Sequence, residues 1–176
     1  MHRHVAAFAM TLILLGGGTA PTLGAQSTVR QPATDADLPS NLAAPPALKP
    51  LLSRMWNQSR TFRRQCARIR GESRLLVRIH TAASVSQSRG RAATYFNRGG
   101  AGILEADVYL AGPVDLIELI AHEFEHVIEH VDGLDLRRLA GLAPTTVWVT
   151  AHGMFETRRA TETGRVVAAE VDGGAY

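Results

Sequence analysis

Three residues of this chain have the types and the spacing for metal chemistry: His122, Glu123 and His126, in the run Ala121-His122-Glu123-Phe124-Glu125-His126. Histidines four apart lie on one face of an α-helix. Two neutral imidazoles so placed can hold one Zn²⁺ through their ring nitrogens. Glu123 falls one residue further round, where it reaches a water on the metal rather than the metal itself. Two ligands and a general base are what metal-assisted hydrolysis needs.

The sequence around this H-E-x-x-H run predicts the helix that must carry it. From Asp115 to Val131, the residues Leu116, Ile117, Ile120, Phe124, Val127, Ile128 and Val131 form one broad apolar arc at about 100° per residue. His122, His126, Glu118, Glu125 and Glu129 fall opposite. Such a helix buries its back and turns its histidines toward a cleft. Asp115 suits the N-cap or first turn, and Gly133 suits a stop. The competing reading is a solvated polar face on which the motif is a chance match.

An open hydrolytic zinc site needs a third protein ligand. Glu156 is the preferred one. Residues 152–171 have the pattern of a last helix, on which Glu156 shares a row with Ala160, Thr163 and Val167, the side expected to face the core. Glu162 falls with Arg158 and Arg165, toward solvent. A carboxylate aimed inward calls for a partner or a metal; otherwise it is a first-turn acid stabilised by the helix dipole. His130 and Asp132 are the alternatives. Three ligands on one straight helix rarely converge on one ion. The position three after His126, where a sharp turn would bring Asp132 round, is Glu129 rather than Gly.

The rest of the chain must supply a scaffold. Ala47 to Ile69 has helical spacing at Leu48, Leu51, Leu52, Met55, Trp56, Phe62, Cys66 and Ile69, with Pro50 early. Leu75 to His80, Ala92 to Phe96 and Ile103 to Leu110 are strand candidates, separated by a polar loop at 84–91 and a glycine-rich turn at 97–102. Leu134 to Leu142 suggests a short helix, and Pro144 to Val149 a loop or short strand. The expected class is α+β: a small antiparallel or mixed sheet packed on the H-E-x-x-H helix, with a further C-terminal helix bringing the third ligand.

With these residues in place the chain resembles the zincin metallopeptidases, and more narrowly the gluzincin branch, where a glutamate from a later helix completes the zinc site. His122, Glu123 and His126 match the motif, and Glu156 matches by role. The likeness covers residues 71–170 in layout and a handful of residues by motif. It implies a zincin-like fold, a Zn²⁺ cofactor and peptide or protein substrates. It also implies that Ile103 to Leu110 is an edge strand, with the backbone of Glu105 to Tyr109 receiving an extended substrate. Zinc on His122, His126 and Glu156 would acidify a water, and Glu123 would take its proton and pass it to the leaving amine. His152, Tyr109 and Tyr95 are candidate donors to the oxyanion. The short chain implies a minimal member without a full second lobe.

The N-terminus sets the expected address. Met1 to His4 is basic, Val5 to Leu15 is apolar but too short for a permanent span, and Gly16 to Ala25 is rich in small residues. Residues 1–25 are therefore expected to be a signal peptide cut after Ala25, making the protein secreted or periplasmic, with no stable membrane insertion after cleavage. Residues 26–46, rich in Pro, Ala, Ser, Thr and Asp, suggest a disordered linker, and 47–176 a single domain. The formal charge of +3 is spread along the chain, and Arg54, Arg60, Arg63, Arg64, Arg68 and Arg70 suit a solvated helix face, so no nucleic-acid partner is expected. Two other functions compete: a non-catalytic exported zinc-binding or accessory protein, which gives Glu123 no duty, and a hydrolase using Cys66 with His80 or His152, which lacks a local signature.

Overall fold

The structure, a computed structural model, describes residues 38–82, 92–112 and 115–173. Alternation builds its sheet. Leu75, Val77 and Ile79 are buried on β2 (Leu75–Ala82), as are Ala106, Val108 and Leu110 on β4 (Leu104–Ala111). A period of two places each set on one face, and β2 pairs with β4 in parallel along its whole length. β3 (Ala92–Arg98) pairs antiparallel with β4 through a turn in which Ala101 and Gly102 take positive φ. β1 (Leu42–Ala43) adds in parallel to the other side of β2, so the order is β1-β2-β4-β3.

The expected strand at 103–110 is thus present but central. Both of its edges are occupied, so its backbone cannot receive a substrate; β3 is the edge strand on that side. β1 lies within the segment expected to be a linker. Asn41 secures it there, its Nδ2 donating to the carbonyls of Ile69, Glu72 and Leu75 at 2.9–3.2 Å. Residues 1–37, which hold the expected signal peptide and most of the linker, lie outside the described residues.

Helices cover the apolar face of the sheet. α1 (Lys49–Gln58), α2 (Arg60–Arg70) and α3 (Leu116–Val131) bury Leu52, Met55, Phe62, Cys66, Ile69, Ile120, Phe124 and Val127 in one core. Phe62 stacks on Phe124 at 5.7 Å. α3 stops as the sequence suggests, with Gly133 at φ +74° and Leu134 N–H bonded to the Glu129 carbonyl. A short α4 (Leu136–Ala140) follows, capped by the Asp135 side chain. The chain is an α+β protein with a small mixed sheet. No helix among its described residues is long and apolar enough to cross a membrane.

Two expected helices are corrected. The single helix over 47–69 is two, broken at Ser59, which is extended, fully buried and caps α2 by accepting the Phe62 N–H at 2.9 Å. The last helix, α5 (Arg158–Gly173), begins six residues later than expected. Residues 147–157 instead form a hairpin of β5 (Val147–Val149) and β6 (Phe155–Thr157), closed where Gly153 takes φ +74°. The β-branched and aromatic residues at 147–149 and 155 favour strand there.

α5 returns to lock the break. Glu170 accepts hydrogen bonds from the Ser59 hydroxyl, the Thr61 N–H at 2.9 Å and the Thr61 hydroxyl at 3.0 Å. Burial pushes its carboxyl up, yet these donors together hold it below its ordinary 4.5. A carboxyl lowered by folding stabilises the protein above its unfolded pKa, and that contribution is lost as pH falls through the folded value. The urea midpoint of the parent is therefore expected to drop more steeply between about pH 5 and pH 3 than that of Glu170→Gln. Parallel slopes for the two proteins would show that this carboxylate carries none of the acid sensitivity.

Candidate metal centre

α3 points both motif histidines into one space. His122 Nε2 and His126 Nε2 lie 3.1 Å apart. The hairpin brings Glu156, whose Oε2 lies 3.0 Å from His122 Nε2 and 3.6 Å from His126 Nε2. The three ligand atoms lie within 4.8 Å of one another. The structure thus brings together the residues singled out as ligands, but Glu156 stands on β6 rather than on a helix. Strand alternation, not a helical row, aims it: Thr157 turns inward and Glu156 turns to the histidines.

The approach of α5 to α3 depends on one glycine. A β-carbon added at Gly164 would stand 2.8 Å from the Glu118 backbone oxygen and 3.3 Å from the His122 β-carbon. Backbone cannot yield as a flexible side chain does. Gly164→Ala is therefore expected to destabilise the fold by about 1–3 kcal/mol, the usual cost of overpacking, and to displace His122. Urea unfolding with and without added zinc checks this; a variant of parental stability would show that the helices can separate freely.

A buried carboxylate holds the histidine side and the glutamate side together. Glu129, only 1% exposed, takes His126 Nδ1–H at 2.9 Å on Oε2 and the Thr157 hydroxyl at 2.7 Å on Oε1. Thr157 in turn accepts the Ala160 N–H at 2.9 Å and so starts α5. With Nδ1 committed as donor, Nε2 of His126 is the atom free to ligate, a tautomer assigned from the bonding pattern. Burial would lower the His126 pKa, but Glu129 first and then Glu156 raise it to about 10. Burial likewise raises Glu156, but the two histidines bring it down to about 2. In the metal-free protein these groups share protons and charge that a cation would replace, so metal affinity falls as pH falls.

Glu123 sits beside these three side chains without joining their cluster. It is 4% exposed, and the Thr94 hydroxyl on β3 donates to its Oε2 at 2.6 Å. Burial pushes its carboxyl up, against the pull of His126. Sequence reasoning did not find Thr94, Glu129 or Thr157. Glu129 and Glu125 were placed on the cleft face of the helix, but Glu129 is sealed beneath β6. Glu125 is sealed between Gln65 of α2 at 2.8 Å and Arg159 of α5 at 2.6 Å.

The other candidates fall away from the cluster. His130 is exposed and stacks on Phe96 at 3.9 Å. Asp132 is engaged by Arg68 at 3.0 Å and Arg159 at 3.4 Å. Tyr109 stacks on His80, and Tyr95 meets Tyr109 edge-on; Tyr109 alternates with Val108 and Leu110, and Tyr95 alternates with Thr94, which meets Glu123 of α3, so both tyrosines face away from the helices. Cys66 is buried in the core, and burial pushes its thiol up to about 12, which removes it as a nucleophile. Of the suggested oxyanion donors only His152 lines the cavity at the cluster.

That cavity encloses about 600 Å³ between β3, α3, α4 and the hairpin, with His122, Glu123, His126 and Glu156 in its wall. Two imidazoles and a carboxylate are a donor set that suits zinc in open hydrolytic sites. Three carboxylates, Glu123, Glu129 and Glu156, surround two histidines held 3.1 Å apart, an arrangement that a cation would balance. No protein-family model, no curated protein and no solved structure matches this chain.

Proposed function

We propose that this chain is a small, exported, zinc-dependent metallopeptidase of zincin-like fold that hydrolyses peptide bonds. The convergence of His122 Nε2, His126 Nε2 and Glu156 Oε2 within 4.8 Å, with Glu123 alongside in a cavity, carries the reading. When bound, Zn²⁺ supplies Lewis acidity that lowers the pKa of water and polarises a carbonyl. The chain does the rest. Glu123 takes the proton of the attacking water, and Thr94 holds its carboxylate in position meanwhile. Glu123 then returns that proton to the leaving nitrogen. His152, which lines the same cavity, is the proposed donor to the developing oxyanion. An extended peptide lies along the edge of β3 that pairs with no other strand among the described residues, and Ala92, Thr94 and Phe96 of β3 line the same cavity.

The test is metal content together with turnover. The purified chain is expected to carry one zinc and to cleave casein or a peptide library. It is expected to lose that activity to a chelator and to regain it with zinc. Glu156→Ala is expected to lose the metal while Glu162→Ala, exposed on α5, keeps it. A chain that carries no zinc under chelator-free conditions, or that cleaves nothing when zinc-loaded, would overturn the proposal.

A further inference from the structure

Among the charged side chains lining the cavity, Glu118 stands out. It is half-buried, and among the described residues no hydrogen bond or ion pair engages its carboxylate. A carboxylate on a cavity wall gains from an opposite charge brought to it. Glu118 shares a helical row with His122 and His126, so its β-carbon stands about 5–6 Å from that of His122, one turn nearer the N-terminus. The site reserved by Gly164 confirms the proximity: a β-carbon there would lie 3.1 Å from the Glu118 γ-carbon and 3.3 Å from the His122 β-carbon. The same cavity wall carries the apolar residues Ala92, Phe96, Leu119 and Phe155. Arg137 of α4 and His152 of the hairpin tip line the cavity too, and neither pairs with it.

We infer that Glu118 is a substrate-recognition residue that accepts a positively charged group, an ammonium or guanidinium, about one helical turn from the reacting carbonyl. This rests on the reading of the site as a peptide hydrolase and gives it a substrate class: peptides with a cation close to the cleaved bond. The cation comes either from a Lys or Arg side chain or from a free N-terminus. In both cases the anion is left unpartnered until substrate arrives, and a neutral substrate would leave it so.

Binding tests this without turnover. The zinc-loaded Glu123→Gln chain is titrated calorimetrically with two peptide pairs: one with a free against an acetylated N-terminus, the other with Lys against norleucine beside the target bond. The charged member of one pair is expected to bind at least about tenfold tighter, as a charge-assisted contact would give. The pair that responds identifies the source of the cation. Adding Glu118→Gln is expected to reduce the ratio to about twofold or less, and Glu118→Asp to restore part of it. Zinc content of each variant verifies that the site is assembled. Equal binding within both pairs, or a ratio that survives Glu118→Gln, overturns this inference alone. Failure of every peptide to bind the zinc-loaded chain overturns it together with the peptidase reading.

Discussion

A chain carrying Glu123→Gln is expected to keep its zinc and to hydrolyse peptides about 10²–10⁴-fold more slowly than the parent, the usual contribution of a positioned general base. Three observations single out Glu123. It adjoins His122 in sequence yet contributes no atom to the ligand cluster. It is 4% exposed, and burial raises its carboxyl, which makes it a stronger base than a solvated glutamate. One oxygen is occupied by the Thr94 hydroxyl at 2.6 Å, which fixes the carboxylate plane and leaves the other oxygen for the proton. Glutamine keeps the shape and still accepts from Thr94 through its amide oxygen. It cannot take a proton. Turnover number and zinc stoichiometry must be measured together: loss of rate with zinc retained supports the base role, whereas a variant within tenfold of the parent rate would remove it. If the protein only binds zinc, the substitution changes neither zinc content nor any activity.

The helix that carries the motif was legible because everything that shapes it is local. Its apolar residues recur at helical spacing over four turns, and Gly133 ends it at the position the sequence marks. The break at Ser59 was legible in hindsight for the same reason: the apolar row of Met55 and Phe62 passes through position 59, and finds a serine there. What made the break favourable, however, is Glu170, more than a hundred residues away. Strand order lay beyond reach for a related reason. Ile103 to Leu110 has the alternation of a half-buried strand whether it is central or at an edge, and the choice was made by β2, which precedes β3 in the chain and pairs in parallel with the free side of β4.

Glu156 is the instructive case. The helical row of Ala160 and Val167 points to Glu156, but the residue stands on β6. Row and strand aim it the same way because Ala160 and Val167 face the core from α5 and β6 runs directly into that helix. The residues that hold the ligands, by contrast, left no trace in the spacing. Thr94, Thr157 and Gly164 are ordinary residues until the fold sets them against Glu123, Glu129 and the backbone of α3. A buried glutamate such as Glu129 looks from sequence like any exposed one on a polar face.

That hidden glutamate should therefore matter nearly as much as a ligand. Glu129→Ala is expected to lower zinc affinity by about 10–100-fold, the range typical for losing a carboxylate that orients a ligating histidine. It is also expected to destabilise the fold by about 3–5 kcal/mol, as removal of one partner of a buried charged pair does. Both effects follow from one geometry. Without Oε2 at 2.9 Å, nothing fixes the proton of His126 on Nδ1, and the ring can turn its Nε2 from the site. Without Oε1 at 2.7 Å, Thr157 loses its tie to α3, and Thr157 is the residue that follows the proposed ligand Glu156 on β6. Zinc would displace the proton on Nε2, not the one on Nδ1 that Glu129 holds, so the loss of Glu129 is a loss of orientation rather than a relief from proton competition. Glu129→Gln separates the two duties. Its amide oxygen can still accept from His126, while its amide nitrogen cannot accept from Thr157. It should therefore retain more zinc affinity than alanine and regain less of the stability. Competition titration against a chromophoric chelator, together with the visible spectrum of the Co²⁺-loaded protein, reads the ligand geometry; urea unfolding reads the fold. An alanine variant whose zinc affinity stays within twofold of the parent, with an unchanged cobalt spectrum, would show that His126 is oriented by its packing alone.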